Sequence, residues 1–271
     1  SPFHLFTLTA QTANKCDYRT VHKVIDGDTV KILINGDEVK VRLRGVDAPE
    51  IGHPMMDVAW FGKEAARKLR KWVEGKTVCL KMDIDKTQDV DKHGRLLRYL
   101  WLNNFFVNAE LVKQGYAFAY TKHPFQYLED FRKYVRDARK NNRGLWNTGK
   151  QKEWENKIRK NKEIAKTCGY KDTICPEEAS NYISKAKTVR FFVRKSHDSG
   201  KAIFLNSKNN FEDPDNFTAV IFRDNRYKFP KEPAEYYWGR TIDVTGRIKE
   251  QEGRAEIVLK NPSQIKILRP K

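Results

Sequence analysis

Long apolar runs are absent from this chain of 271 residues, and no stretch approaches the run of about 18 apolar residues that spans a bilayer. A soluble protein is therefore expected. Cysteine is scarce too, and the spacing of its four residues matches no zinc pattern built from two CxxC pairs. A metal site made of thiolates is thus not expected. Acidic residues are too few to balance the basic ones, which leaves a formal net charge of +18.

The basic excess is spread over both halves of the chain, as expected for a protein that follows a polyanion such as nucleic acid along its surface. Plain solubility is the alternative explanation, because net charge carries no information about fold or chemistry. Hydrophobic residues at 39% and aromatic residues at 12% are enough to build folded cores, and the length favours two domains.

The cysteines bear on the compartment of the protein. Cys168 and Cys175 lie in a loop-like segment and could pair with each other or with Cys16 in an oxidising compartment. Cys79 lies in an apolar alternation and is predicted to be a core residue. The opening residues 1–13 are apolar, and we interpret them as the remnant of a processed leader or as an end that is not part of the fold.

Hydrophobic periodicity predicts a mainly β domain with packed helices over residues 18–149. Asn35-Gly36 between two alternating apolar runs predicts a tight hairpin, because both residues accept a positive φ. The predicted strands are 20–24, 29–34, 38–44, 78–84 and 98–102, and the predicted helices are 56–74, 106–114 and 125–141.

The second half of the chain has a different pattern. Residues 150–187 begin with a strongly charged helical stretch and are predicted to form a linker. Short strands in the last part of the chain, residues 188–271, predict a small closed barrel. These strands are 188–195, 202–206, 217–222, 241–248, 255–259 and 264–268, with a short helix at 231–238.

Three segments place charge where the backbone turns: IDGDTV (residues 25–30), VRLRGVDAPE (41–50) and DKHGR (91–95). Carboxylates from separate loops, completed by carbonyl and water oxygens, are the ligands that a hard cation such as Ca²⁺ requires. Nearby arginines would hold a phosphodiester and stabilise the negative charge of the transition state. Together these are the parts of metal-assisted phosphodiester hydrolysis. Taken singly, each segment also fits an ordinary turn or a surface strand.

The order and separations of these segments, with NAELVKQGYA (residues 108–117) and NRGLW (142–146), resemble the staphylococcal nuclease (thermonuclease) family. The resemblance covers roughly residues 18–147. It implies an α+β fold, with a five-stranded OB-type barrel packed with helices. It also implies a Ca²⁺-dependent nuclease that cuts DNA and RNA with little sequence specificity and leaves 3′-phosphate ends.

The resemblance also implies a role for each matching residue. Asp28 and Asp47 would be the carboxylate ligands of Ca²⁺, with the main-chain carbonyl of Ala48, which replaces a threonine. Glu50 would be the general base or the group that orients water. The phosphate-binding residues would be Arg42 and Arg95, and the supporting residues Asp26 near the metal loop, Lys92 at a neighbouring phosphate, His93 in place of a tyrosine at the terminal phosphate, and Tyr120 at the base pocket.

Residues 188–268 resemble an OB-fold nucleic-acid-binding module of the kind sometimes appended to nucleases. Arg190, Phe192 and Arg194 alternate on one face of a strand, and Phe204 on the next strand would extend that face into a platform for stacked bases. The alternative is that these aromatic residues fill the barrel and the arginines are merely solvated.

The leading hypothesis is therefore a Ca²⁺-dependent nuclease acting on DNA or RNA, with single strands favoured and an accessory OB-fold domain. The alternatives are an inactive nuclease-like module that binds nucleic acid or protein, and a structural OB scaffold. No membrane and no obligate protein partner is implied. We expect an extracellular or periplasmic location, because a nonspecific nuclease endangers a genome and Ca²⁺ is abundant outside cells.

Overall fold

The computed structural model describes residues 16–50, 59–85 and 88–270. The chain divides into two compact units, which part between Gln151 and Lys152. The opening residues 1–13 and the first residues of the predicted helix 56–74 lie outside the described ranges. Within those ranges, no helix is long and apolar enough to cross a membrane.

Five strands of the N-terminal unit form a closed mixed barrel. They are β1 (Asp17–Val24), β2 (Thr29–Ile34), β3 (Asp37–Leu43), β5 (Thr77–Lys81) and β6 (Leu96–Leu102). Four of the five pairings are antiparallel, and the parallel pairing of β3 with β6 closes the barrel. The β2–β3 hairpin turns at Asn35-Gly36, both with positive φ, which confirms the hairpin predicted from Asn-Gly.

Among the described residues, this unit also contains short strands and helices: β4 (Val46–Asp47) paired with β8 (Phe118–Ala119), β7 (Phe105–Phe106) beside β6, α1 (Gly62–Val73), α2 (Val107–Lys113) and α3 (Leu128–Lys140). The buried residues of α1 include Ala65, Leu69 and Val73, spaced four apart, so they form one apolar face. The core fills the space between the barrel and these helices, with Tyr99 and Phe131 among its largest buried side chains.

Two glycines join the end of the N-terminal unit to its helical layer. The carbonyl of Gly115, just after α2, accepts a hydrogen bond from the amide of Leu145 at 2.8 Å. A Cβ atom at Gly144 would lie only 2.1 Å from that carbonyl oxygen. Both glycines have positive φ, so a side chain is disfavoured by conformation as well as by space. The close backbone contact fixes residues 142–146 against the end of α2.

The C-terminal unit contains two sheets, and neither is closed on itself. The four-stranded sheet has the order β17-β14-β10-β9 and the five-stranded sheet has the order β11-β12-β13-β16-β15. The elements are α4 (Thr148–Ala165), β9 (Thr173–Ile174), β10 (Ala186–Phe192), β11 (Lys195–Asp198), β12 (Ala202–Asn206), β13 (Thr218–Phe222), α5 (Pro233–Tyr237), β14 (Thr241–Arg247), β15 (Lys249–Gln251), β16 (Arg254–Val258) and β17 (Ile265–Leu268). Alternate residues of these strands, such as Ile203, Leu205 and Ile257, form a second core.

Helix α4 packs on the four-stranded sheet through a buried asparagine. Asn161 is 2% exposed, and its Oδ1 accepts a hydrogen bond from the amide of Thr241 at 3.3 Å. The ammonium group of Lys162 lies 5.8 Å from the centre of the Phe192 ring. The charged stretch predicted to be a solvated linker is therefore helical, but one of its faces contacts the sheet.

All four cysteines form disulfides, Cys16–Cys79 and Cys168–Cys175. The second pair is one of the alternatives left open by the sequence. Cys79 is buried at 5% exposure, which confirms its prediction as a core residue, and it is also bonded to Cys16, a pairing that was not expected. The reason for the bond is the pairing of β1 with β5, in which Asp17 lies opposite Leu80.

Candidate functional site

The β2–β3 hairpin places Asp28 beside Arg42. Thr29 lies opposite Arg42 in the ladder, and the amide of Leu43 donates to the carbonyl of Asp28 at 2.8 Å. The guanidinium of Arg42 then binds two carboxylates, with Nη1 2.5 Å from Asp28 Oδ1 and Nη2 2.9 Å from Asp47 Oδ1. The sequence-predicted metal ligands are thus brought together on one arginine.

The carboxylate of Asp28 is almost fully buried, at 1% exposure. Its Oδ1 accepts from the hydroxyl of Thr29 at 2.9 Å, and its Oδ2 accepts from the amide of Ala48 at 2.7 Å. Burial, and then the neighbouring carboxylate of Asp26, raise the pKa of Asp28 well above its ordinary value, against the opposing effect of Arg42. Asp26, Asp28 and Asp47 thus cluster at this end of the hairpin, and Arg42 binds the last two.

The donor set fits a hard cation. Among the residues that the structure describes, no group of three or more His, Cys, Asp or Glu side chains is placed to hold a metal ion. A cation here would therefore take two carboxylates, Asp28 and Asp47, and complete its coordination with main-chain carbonyl and water oxygens. Oxygen-only coordination suits Ca²⁺ rather than a soft metal.

Gly27 allows the loop between β1 and β2 to pack closely. A Cβ atom at this position would lie 2.5 Å from the Cβ of Ala48 and 2.7 Å from the Cβ of Ala65 in α1. No side chain fits at these distances without movement of a neighbour. The glycine between Asp26 and Asp28 therefore fixes the distance between the Asp28 loop and the Ala48 backbone.

The turn at residues 91–95 holds Arg95. Asp91 Oδ1 accepts from the amides of His93 and Arg95 at 2.8 and 3.0 Å, and Asp91 Oδ2 lies 2.7 Å from Arg95 Nε. Burial opposes ionisation of Asp91, but these hydrogen bonds outweigh it and lower its pKa. The parallel pairing of β3 with β6, in which Val41 lies opposite Leu96, brings Arg95 to the same side as Arg42.

A cavity of about 440 Å³ collects five of the predicted residues, namely Arg42, Lys92, His93, Arg95 and Tyr120. Tyr120 is held there by its amide, which donates to the carbonyl of Gly45 at 2.9 Å, beside the β4–β8 pair. The lining is strongly basic, which suits a phosphodiester. The sequence analysis missed His123, which also lines this cavity, with its ring centre 6.0 Å from that of Tyr120. No sequence signal marked it.

Arg44 connects two loops that border this cavity, and it was also missed. Its side chain is 5% exposed, and its Nε lies 2.7 Å from Asp83 Oδ2. Its Nη1 donates to the carbonyl of Gln88 at 2.8 Å and its Nη2 to the carbonyl of Pro124 at 3.2 Å. Asp83 in turn accepts the hydroxyl of Tyr99. The alternation of Arg42 and Arg44 in the sequence was the available signal, because it places both on the same strand face.

Glu50 is exposed and lies on the loop that follows β4. Its main chain runs beside the start of α1, since a Cβ atom at Gly62 would lie 3.1 Å from the carbonyl oxygen of Glu50. The sequence-predicted base thus lies three residues beyond Asp47 in the chain, and the residue is exposed.

The residues predicted to form a platform in the C-terminal unit do not share one surface. Arg190 is paired with Asp243, with Nε 2.7 Å from Oδ1, and Phe192 is only 4% exposed. Both line a cavity of about 550 Å³ with Arg194 and residues of α4. Phe204 lines a different cavity. Strand alternation placed Phe192 on the correct face but did not show that α4 packs there.

The family described as staphylococcal nuclease homologue matches residues 40–148. The thermonuclease of Staphylococcus hyicus is 33% identical over 135 residues, which cover 49% of this chain and 78% of that protein. The chain belongs to the staphylococcal nuclease family. Two further relatives are the uncharacterised protein MJ1439 of Methanocaldococcus jannaschii, 37% identical over 48% of this chain and 72% of that protein, and the SPbeta prophage-derived endonuclease YokF of Bacillus subtilis, 33% identical over 47% of this chain and 43% of that protein.

The family match includes Arg42, Asp47, Ala48, Glu50 and Arg95, and it ends at residue 148. Homology to a thermonuclease and an endonuclease thus concerns the N-terminal unit, where the basic cavity and the paired carboxylates lie. The C-terminal unit lies outside the family match, so its role has to be argued from its own residues.

Proposed function

We propose that this protein is a Ca²⁺-dependent phosphodiesterase that hydrolyses DNA and RNA with little sequence specificity and leaves 3′-phosphate ends. The observation that supports the proposal is the joint placement of Arg42 and Arg95 in one basic cavity, with Arg42 bound to Asp28 and Asp47. Nucleic acid is the substrate that the family implies, and the net charge of +18 favours its binding.

The two arginines bind the scissile phosphate in this proposal. Arg95 is anchored through Nε to Asp91, which directs its terminal nitrogens toward the cavity. Arg42 is held by two carboxylates, so both guanidinium groups are oriented before substrate arrives. Donors fixed in this way stabilise the charge that develops on the phosphoryl oxygens, and Arg95 assists the leaving oxygen.

Glu50 orients or deprotonates the attacking water in this proposal, from the loop after Asp47. Asp28, Asp47 and the main-chain carbonyl of Ala48 would hold Ca²⁺, which would supply Lewis-acid stabilisation of the phosphoryl oxygens. Asp26 supports the Asp28 loop by accepting the amide of Asp28 at 3.0 Å. The remaining cavity residues contact the rest of the substrate: Lys92 and His93 contact neighbouring phosphates, and Tyr120 contacts a base.

The proposed domains are a catalytic domain at 18–149, a linker at 150–187 and an OB-fold domain at 188–271. Strand pairing supports the second barrel. Only two residues separate β10 from β11 and one separates β14 from β15, so each pair can be counted as one bent strand. The order of pairing then matches the N-terminal barrel, with the parallel pair β13–β16 in the place of β3–β6. An accessory role in nucleic-acid binding, with single strands favoured, follows from this likeness.

We also propose an extracellular or periplasmic location. Two disulfides, one in each unit, support it, because disulfides persist in oxidising compartments.

The test is degradation of single-stranded and plasmid DNA by the purified protein, with Ca²⁺ or with a chelator. We expect cleavage only with Ca²⁺, and a loss of about 10²–10⁴-fold for Glu50→Gln. Glu129→Gln, at an exposed carboxylate of α3, is the matched control and should keep full activity. Calorimetric Ca²⁺ binding should weaken in Asp47→Asn, which tests the ligand assignment apart from activity. Retained DNA binding without any cleavage would favour the inactive module instead.

A further inference from the structure

The five-stranded sheet of the C-terminal unit carries a cleft on its outer face. Ile203, Leu205 and Ile257 point into the core, so their strand neighbours point outward. These outward residues enclose about 760 Å³, together with a residue of the loop before β13. We call this space the C-terminal cleft, and its residues that matter here are Lys195, Phe204, Phe211, Phe222, Arg254 and Glu256.

Aromatic rings line the C-terminal cleft while remaining open to solvent. Phe211 and Phe222 are 51% and 47% exposed, which is unusual for phenylalanine in a folded domain. The ring of His197 lies nearly parallel to that of Phe204, at 18° and 6.5 Å between centres. The Arg254 guanidinium lies 5.7 Å from the centre of the Phe211 ring. Exposed rings beside cations are the surface on which nucleobases stack.

Two cations of the C-terminal cleft can receive the phosphates of a nucleic acid. Lys195 and Arg254 both belong to its lining. Arg254 Nη2 lies 3.0 Å from Glu252, whose side chain is 74% exposed. An ion pair so open to water contributes little, so a phosphate can replace Glu252 as the partner of Arg254. The charge of the cleft is thus compatible with a polyanion.

Glu256 is the feature that suggests which base is bound. It is half-buried in the lining, with Thr218 opposite on one neighbouring strand and Lys249, whose charge favours the ionised form of Glu256, opposite on the other. No donor among the described residues hydrogen-bonds its carboxylate. A carboxylate only accepts hydrogen bonds, so its ligand must present donors. Guanine presents two adjacent donors, N1–H and N2–H, beside the O6 acceptor on its Watson–Crick edge, whereas no other base presents two adjacent donor atoms there.

We propose that the C-terminal cleft binds single-stranded nucleic acid, with bases stacked on the exposed phenylalanines and a guanine at Glu256 that donates N1–H and N2–H to its carboxylate. The inference deepens the proposed function and rests on it in one respect, namely that the ligand is a nucleic acid. It assigns the binding surface to Phe204 and Phe222 rather than to Phe192, which is buried beside α4.

The experiment measures fluorescence anisotropy of labelled heptanucleotides with the full chain, in chelator so that the probe stays intact. The probes are oligo-dT and oligo-dT with one central dG or dC. Stacking predicts that Phe222→Ala weakens binding of every probe by about 5- to 100-fold. Bidentate contact predicts that the wild type prefers the dG probe over oligo-dT by about tenfold, and that Glu256→Gln removes this preference without weakening oligo-dT binding.

Two control variants distinguish binding in the C-terminal cleft from nonspecific stacking or electrostatic attraction elsewhere on the protein. Tyr227→Ala removes a ring that is 81% exposed outside the cleft lining, and Glu252→Gln removes an acidic charge at the rim; both should keep the dG preference. Equal losses for Phe222→Ala and Tyr227→Ala, or a wild type without dG preference, would overturn the inference. Cleavage with Ca²⁺ is measured on the same variants. Absence of cleavage by the wild type would refute the proposed function, whereas oligonucleotide binding in chelator tests the cleft independently of cleavage.

Discussion

Replacing Gly27 by alanine should damage both the stability and the activity of the N-terminal unit. The added Cβ would lie 2.5 Å from the Cβ of Ala48 and 2.7 Å from that of Ala65, and ordinary carbon contacts begin about 1 Å further away. Gly27 does not have a positive φ, so alanine is disfavoured here by lack of space and not by the backbone conformation. Overpacking of this kind costs about 1–3 kcal/mol of unfolding free energy.

That cost corresponds to a fall of roughly 3–12 °C in the Tm of the N-terminal unit. Moving Ala48 away from the added Cβ also separates it from Asp28, to which its amide donates a 2.7 Å hydrogen bond. A shift of about 1 Å in a catalytic arrangement can lower the rate by about 10²-fold. Thermal unfolding and Ca²⁺-dependent DNA cleavage are the assays. Gly149→Ala is the matched control, because its Cβ would meet only Asn147 Oδ1, at 3.6 Å. Wild-type Tm and wild-type rate in Gly27→Ala would refute the reasoning.

Three further predictions concern stability. Arg44→Met should lower the unfolding free energy by about 3–5 kcal/mol, because Asp83 loses its buried partner, and denaturant unfolding of Arg44→Met beside the exposed control Arg132→Met checks it. Removing the Cys16–Cys79 disulfide, which joins residues 63 apart, should lower the unfolding free energy by about 4 kcal/mol, because it closes a long loop in the unfolded chain. Removing Cys168–Cys175, which joins residues 7 apart, should lower it by only about 2 kcal/mol. Equal losses of unfolding free energy, measured by urea unfolding, would contradict this chain-entropy explanation. Burial raises the pKa of Tyr237 to about 12, above the value near 10 of the unfolded chain, so its ionisation should lower the unfolding free energy by up to about 2.7 kcal/mol as the pH rises from 10 to 12. Burial also raises the pKa of Tyr99, which adds to the fall, so Tyr237→Phe should reduce the fall measured by urea unfolding across this pH range by that amount.

Local patterns in the sequence predicted the N-terminal unit well because its site is built from neighbouring segments. The Asn35-Gly36 hairpin fixes the register of β2 and β3, and that register alone places Asp28 next to Arg42. The DKHGR turn likewise needs only Asp91 and the amides that follow it. The sequence could not show that Arg42 binds both carboxylates at once, since this depends on where the β4 loop returns.

Long-range contacts explain what the sequence missed. The pairing of β1 with β5 joins Cys16 to Cys79, although an apolar alternation around Cys79 gave no sign of it. In the C-terminal unit, strand alternation assigned faces correctly, but only the packing of α4 decides that Phe192 is covered. Strand alternation places Phe222 on the same face as Val220, so its position in the cleft could have been predicted. Phe211 lies in a loop, where no sequence pattern marks it.

The glycine contact that ends the N-terminal unit has a consequence for how such proteins diversify. Among the described residues, its hydrophobic core is drawn from residues between Val21 and Val135, and the Gly115–Gly144 backbone contact fixes the last segment before α4 begins. Every described residue of that core therefore precedes Thr148. Recombination at that point could attach a different C-terminal unit without changing the residues around Arg42 and Arg95, so the attached unit can be exchanged while the basic cavity is inherited.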